Sequence, residues 1–124
     1  MSENKKVVIA GAGVMGASLA QVYALSGYQV TVYDVVMAGI EKGRHLVALN
    51  QQTMLAEGLV SAKASEEAVG RIHYAMDKEC FRDCCLVVEC IVERLDVKQS
   101  FWREVSRMAP RDALLATNTS GLHI

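Results

Sequence analysis

Residues 11–16 read Gly-Ala-Gly-Val-Met-Gly, three glycines at the spacing G-x-G-x-x-G. Directly before them Lys6 to Ala10 (KVVIA) is a short apolar run rich in β-branched residues, the pattern of a strand buried on both faces. Between a strand and a helix each glycine has a physical task. The first permits the tight turn, the second lets the backbone approach a diphosphate, and the third lets helix and strand pack closely. Free N–H groups at the helix start, aided by the helix dipole, then favour an anion. Gly11, Ala12, Gly13, Val14, Met15 and Gly16 are therefore the expected cradle for the diphosphate of a dinucleotide. Asp34 follows Gly16 by eighteen positions, at the end of a second strand. A carboxylate there accepts hydrogen bonds from the ribose hydroxyls of an adenosine. It also repels an added 2′-phosphate, and Val35 and Val36 bring no cation to offset that. NAD is thus expected over NADP. FAD-binding domains share the glycine pattern, so FAD stays open, as does a glycine-rich turn in another doubly wound domain.

The remaining reactive residue types point to less. Cys80, Cys84, Cys85 and Cys90 crowd into eleven residues with no paired C-x₂-C knuckles. Buried free thiols on a helix and a strand are expected, and no metal site. His45 lies in a polar helical stretch and His73 in a weak strand; each is expected to be a surface or core imidazole. Glu89, inside an apolar strand, is expected to be a paired or edge-facing carboxylate with no catalytic part.

The elements that would position these groups alternate. After the glycine loop, Met15 to Ser26 carries Met15, Leu19, Val22 and Leu25 at helical spacing, with Gly27 at the C-terminal cap position. Gln29 to Tyr33 (QVTVY) is a strand, and Met37 to about Glu57 a more polar helix stopped by Gly58. A second helix is expected from Ser65, whose hydroxyl would cap an end enriched in Glu66 and Glu67. Ile72 to Met76 reads as a weak strand and Leu86 to Cys90 as a stronger one. Arg94 to Ala109 sets Val97, Phe101, Val105 and Met108 on one face, and Pro110 ends that helix. Ala113 to Thr117 is a fifth apolar strand. Strands alternating with helices predict an α/β, doubly wound parallel sheet with right-handed crossovers.

A chain of 124 residues, 52% hydrophobic, suits one domain with its own core. Thirteen Lys and Arg against fourteen Asp and Glu give a net charge of −1, which argues against a general nucleic-acid binder. No apolar run reaches membrane-spanning length, and MSENKK runs straight into VVIAGAG without a signal-peptide core. A cytoplasmic protein is expected.

VVIAGAGVMGASLAQ, TVYD, LVVECIVERLDVKQSFWREV and LLATNTSGLHI together resemble the NAD-binding domain of the L-3-hydroxyacyl-CoA dehydrogenase family, from about Lys5 to Ile124. The resemblance implies a Rossmann-type domain over residues 1–124, truncated before its last strands and lacking a C-terminal substrate and dimerisation domain. It implies oxidation of the 3-hydroxyl of an acyl-CoA with hydride transfer to NAD, in a homo-oligomer working in fatty acid metabolism. By position, Glu93 and Lys98 are similar to the family's cofactor contacts. Ser120, in Asn118-Thr119-Ser120, is similar to the active-site serine beside both nicotinamide and substrate. For Lys98 a solvated cation on a helix is the alternative. The family's general base, a His oriented by a Glu, lies downstream of N-T-S, and His123 does not match it, so this chain alone is expected to be inactive. Lys42, Arg44 and Lys63 are the only Lys or Arg inside the stretch from Ala38 to Arg71, a region the family uses towards CoA. A free hydroxy acid therefore stays open as substrate, as does a non-catalytic NAD-binding module.

Overall fold

Val7, Val8, Ile9 and Ala10 are all fully buried, yet alternate side chains enter different cores. Val7 and Ile9 join one cluster with Ala17, Ala20, Val30 and Val32, whereas Val8 and Ala10 join another with Tyr33, Phe81, Phe101 and Val105. A strand covered on both faces reads as a continuous apolar run for this reason. The computed structural model describes residues 5–91 and 95–117. The expectations for Glu93, Asn118, Thr119, Ser120 and His123 lie outside the described residues.

The elements are β1 (Lys6–Ala10), α1 (Val14–Leu25), β2 (Gln29–Tyr33), α2 (Met37–Ala56), α3 (Ala62–Gly70), β3 (Ile72–Ala75), a 3₁₀ turn (Lys78–Phe81), β4 (Leu86–Glu89), α4 (Leu95–Met108) and β5 (Leu114–Thr117). The strands pair in parallel in the order β3-β2-β1-β4-β5. This is the doubly wound α/β sheet of Rossmann type. The chain builds outward from β1 to β3, then restarts on the other side of β1 with β4. Where the winding reverses, a crevice opens beyond the carboxyl ends of β1 and β4.

Two local expectations are corrected. Met15 and Val22, expected on the core face of α1, are 55% and 58% exposed. The buried face is Gly16, Ala17, Ala20, Gln21 and Ala24. Small residues win because α1 lies too close to the sheet for large ones: a Cβ on Gly16 would stand 1.8 Å from the Gly11 carbonyl oxygen. The helix expected from Ser65 begins a turn earlier, where the Ser61 side chain accepts a hydrogen bond from Ala64 N–H. Ser65 is buried inside α3, and its hydroxyl donates to Gln51 Oε1 at 2.6 Å. Gln51 Nε2 in turn donates to Gln21 Oε1 at 2.6 Å, and Gln21 Nε2 to Ala17 O at 3.1 Å. This chain of bonds ties α1, α2 and α3 together beneath the apolar surface.

On the opposite face α4 buries Phe101 and Val105, as its spacing predicts. Phe81 stacks edge-on between Tyr33 and Phe101, with ring centroids 5.0 and 5.7 Å away. The four cysteines are free, but their expected burial on a helix and a strand is corrected: Cys80 lies in the 3₁₀ turn, Cys84 and Cys85 just before β4 and Cys90 just after it, and only Cys84 is fully buried, the others being half-buried. β5 is the edge of the described sheet, with all four residues exposed and Leu114 at 70%. No helix among the described residues is long and apolar enough to cross a membrane.

Candidate cofactor-binding site

Register sets the site. Ala10 pairs with both Tyr33 and Glu89, and Glu89 with Thr117, so β2, β1, β4 and β5 end in one row. The residues that follow are delivered side by side: Asp34 after β2, Gly11 after β1 and Cys90 after β4. Gly11 N–H donates to Tyr33 O at 2.8 Å and Cys90 N–H to Ala10 O at 2.7 Å, carrying the ladder just past the strands.

The three glycines do separate things. Gly11 has φ +112°, and a Cβ there would meet Cys90 O at 2.8 Å, so both conformation and space require glycine. Gly16 admits the close helix packing described above. At Gly13 a Cβ would meet nothing within 4 Å. Gly13 is also the N-cap of α1, and no side chain caps the helix there. Open space in front of uncapped N–H groups, at the positive end of a helix dipole, fits an approaching diphosphate.

Asp34 is held in place from behind. Its Oδ2 accepts Ala12 N–H at 3.1 Å, which couples the carboxylate to the glycine loop, and its Oδ1 accepts Val36 N–H at 3.2 Å. Two glycines on α2 make the room, and nothing in the chemistry-bearing motifs had singled them out. A Cβ on Gly39 would lie 2.5 Å from Asp34 Oδ2, and one on Gly43 would lie 3.0 Å from Ala12. They are four residues apart, hence on one face of the helix, and that G-x-x-x-G spacing was the available signal.

Beside the loop lies a cavity of about 500 Å³. Gly13 and Asp34 border it together with apolar Val35, Ile91 and Phe101. Lys78 and Glu104 border it too, as an ion pair from the 3₁₀ turn to α4 with Nζ–Oε1 2.6 Å. Sequence reasoning missed this pair, because residues 26 positions apart meet only through the fold. The hydrogen bond to Glu104 raises the Lys78 ammonium above its ordinary pKa, so it stays charged. Burial raises the Tyr33 phenol, opposed by the Lys78 charge. Burial also pushes the Cys90 thiol, at the cavity wall, up to about 11.

Glu89 and Lys98 stand beside this site, both side chains fully out of water, with Oε2–Nζ 3.2 Å. Lys98 is therefore not the solvated cation that was its alternative. Glu89 is paired, as expected. It also accepts Ile91 N–H and the Thr117 hydroxyl, each at 2.6 Å. His45 and His73 are exposed on α2 and β3, and neither lines the cavity. Among the described residues no group of His, Cys, Asp and Glu is arranged to hold a metal ion.

Comparison with known proteins agrees with this geometry. The family described as 3-hydroxyacyl-CoA dehydrogenase, NAD binding domain, matches residues 6–124. A probable 3-hydroxybutyryl-CoA dehydrogenase of Deinococcus radiodurans is 34% identical over 96% of this chain and 42% of its own length. A peroxisomal fatty acid beta-oxidation multifunctional protein of Arabidopsis thaliana is 32% identical over 97% of the chain and 17% of its own length. The crystal structure of FadB2 of Mycobacterium tuberculosis superposes with a TM-score of 0.93 at 32% identity, over 98% of this chain and 43% of that one. The chain thus spans less than half the length of these relatives. With its glycine loop, its carboxylate at the end of β2 and its parallel five-stranded sheet, it belongs to the family of NAD-binding domains of 3-hydroxyacyl-CoA dehydrogenases.

Proposed function

We propose that residues 1–124 hold NAD for a 3-hydroxyacyl-CoA dehydrogenase, and that Asp34 is the group that sets the choice of dinucleotide. The observation carrying this reading is the Asp34 carboxylate, fixed by Ala12 N–H at a cavity that Asp34 lines together with Gly13. Gly13, Val14, Met15 and Gly16 would turn backbone N–H groups at the start of α1 towards the diphosphate. Gly11 and Ala12, whose N–H groups donate to Tyr33 O and Asp34 Oδ2, would shape the loop around it, and Asp34 would accept from the ribose hydroxyls. Bound NAD supplies a nicotinamide that accepts hydride. Glu93, Lys98 and Ser120 would contact the cofactor, and Ser120 would also hold the substrate oxygen. Lys98 would act from a site where Glu89 keeps its ammonium fixed.

The substrate of the whole protein is read as a 3-hydroxyacyl-CoA, supported by the names of its relatives. A cytoplasmic homo-oligomer belongs to the same reading. The chain alone is expected to show no turnover. A positioned general base contributes about 10²–10⁴-fold, and orienting the substrate is worth about 7–11 kcal/mol. Calorimetric titration with NAD, NADP and FAD is the test. NAD binding tightest supports the reading, and FAD or NADP binding tightest ends it. An NADH absorbance assay with 3-hydroxybutyryl-CoA, on protein already shown to bind NAD, is expected to stay at background.

A further inference from the structure

We infer that the Lys78–Glu104 ion pair reads the base of the bound dinucleotide, selecting adenine over a 6-oxopurine. The inference rests on the NAD reading and adds to it a base-selecting role for two side chains. Both line the same cavity as Gly13 and Asp34, which the NAD reading gives to diphosphate and ribose. The base of a dinucleotide so placed occupies the rest of that cavity. Val35, Ile91 and Phe101 offer it an apolar slot suited to a flat ring but blind to the ring's substituents. Besides Asp34, the charged groups lining the cavity are Lys78 and Glu104; Tyr33, Cys90 and Ser100 are its other polar side chains.

Their chemistry is complementary to adenine. Adenine presents an amino donor at C6 and ring-nitrogen acceptors at N1 and N7. A carboxylate only accepts and an ammonium only donates. The pair commits one N–H of Lys78 to Glu104 Oε1, which leaves further N–H donors on Nζ and the second oxygen, Oε2. Glu104 can then accept from the 6-amino group while Lys78 donates to a ring nitrogen. Hypoxanthine held in the same pose reverses the pattern, with a carbonyl oxygen at C6 and an N–H at N1, and so sets oxygen against carboxylate and N–H against ammonium. The pair also anchors the 3₁₀ turn to α4, so the two charges are held in fixed relation. The two side chains are 40% and 53% exposed, so water competes and the discrimination is moderate.

The experiment is calorimetric titration of the chain with NAD and with nicotinamide hypoxanthine dinucleotide. The parent is expected to favour NAD by about tenfold, the low end for hydrogen bonds to charged groups. Glu104→Gln, whose amide can turn either its oxygen or its nitrogen to the base, is expected to lose most of that preference. The exchanged pair, Lys78→Glu with Glu104→Lys, keeps an ion pair while inverting donor and acceptor, and is expected to favour the hypoxanthine dinucleotide. Equal affinity of the parent for both dinucleotides overturns base selection and leaves the NAD reading standing. So does an undiminished preference for NAD in Glu104→Gln, which holds as a test even if the exchanged pair fails to fold. Failure of the parent to bind either dinucleotide overturns the NAD reading and this inference with it.

Discussion

Glu89 on β4 and Lys98 on α4 form an ion pair at 3.2 Å from which water is fully excluded. The same carboxylate accepts from the backbone that leaves β4, at Ile91, and from the last described residue of β5, Thr117. One side chain thus joins three segments at the carboxyl edge of the sheet. Two charges taken out of water are tolerable only with such satisfied geometry.

Glu89→Ala removes the acceptor shared by all three segments. Breaking a buried pair typically costs about 3–5 kcal/mol, so urea unfolding should show a loss of that size. Glu89→Gln keeps an acceptor and should lose less. Equal stability of Glu89→Ala and parent would mean that the pair does not hold the edge together.

Gly39→Ala should separate stability from binding. The added Cβ would reach 2.5 Å from Asp34 Oδ2 and drive the carboxylate from its place. Gly39 lies in the first turn of α2, where replacing a glycine gains at most about 0.5–1 kcal/mol, the mid-helix value, and this partly offsets the strain. Thermal midpoint should therefore change little while NAD affinity falls by about tenfold, or roughly 1.4 kcal/mol. Gly16→Ala meets rigid backbone at 1.8 Å and should destabilise by about 3 kcal/mol, the upper range for overpacking. Denaturation and titration on both variants check the contrast.

Asp34→Ala should weaken NAD binding by about 1.5–3 kcal/mol, the range for hydrogen bonds to a charged group. NADP affinity should fall less or rise, because the carboxylate that repels its phosphate is gone. Equal NAD affinity in variant and parent would remove Asp34 from the site.

Burial pushes the Cys80 thiol from an ordinary value of 9.0 up to about 12, and the Cys84 and Cys90 thiols up to about 11. The folded protein therefore holds these protons more tightly than the unfolded chain. Stability from this source is fully present below pH 9 and is lost as pH rises through about 11 to 12. Urea midpoints should be level from neutral pH to the ordinary thiol value, then fall, and Cys80→Ala should flatten the fall. At neutral pH all three thiols should alkylate slowly, and NAD should slow Cys90 further, since that residue lines the cavity.

Strands β1 and β2 were legible to the residue, because KVVIA and QVTVY are β-branched runs between clear turn residues. The glycine loop and Asp34 were legible because their spacing follows backbone geometry. The buried face of α1 was not: hydrophobicity gives weight to Met15 and Val22, whereas contact there depends on the lack of bulk at Gly16 and Ala20. Ser61 and Ser65 offer the same hydroxyl to the start of α3, and the acidic residues after Ser65 drew the boundary to the wrong one. Gly39 and Gly43 showed only as a G-x-x-x-G spacing that does not say what the helix face meets, and Gly43 with Ala12 and Lys78 with Glu104 act across elements distant in sequence, where local pattern carries no distance information.

The buried amides of Gln21 and Gln51, joined to Ser65, give the α1–α2–α3 layer a property that apolar filling would lack. Leucine or methionine at these positions would occupy similar volume and let one helix rotate or slip by a fraction of a turn against its neighbour. Directional bonds of 2.6 Å tolerate no such slip, because each misaligned donor would be stranded away from water. The layer therefore has a single docked register. Since Gly39 and Gly43 ride on the same helix as Gln51, that register also fixes how far α2 stands from the glycine loop. Three polar side chains remote from the strand ends thus act as a gauge for the spacing at the site.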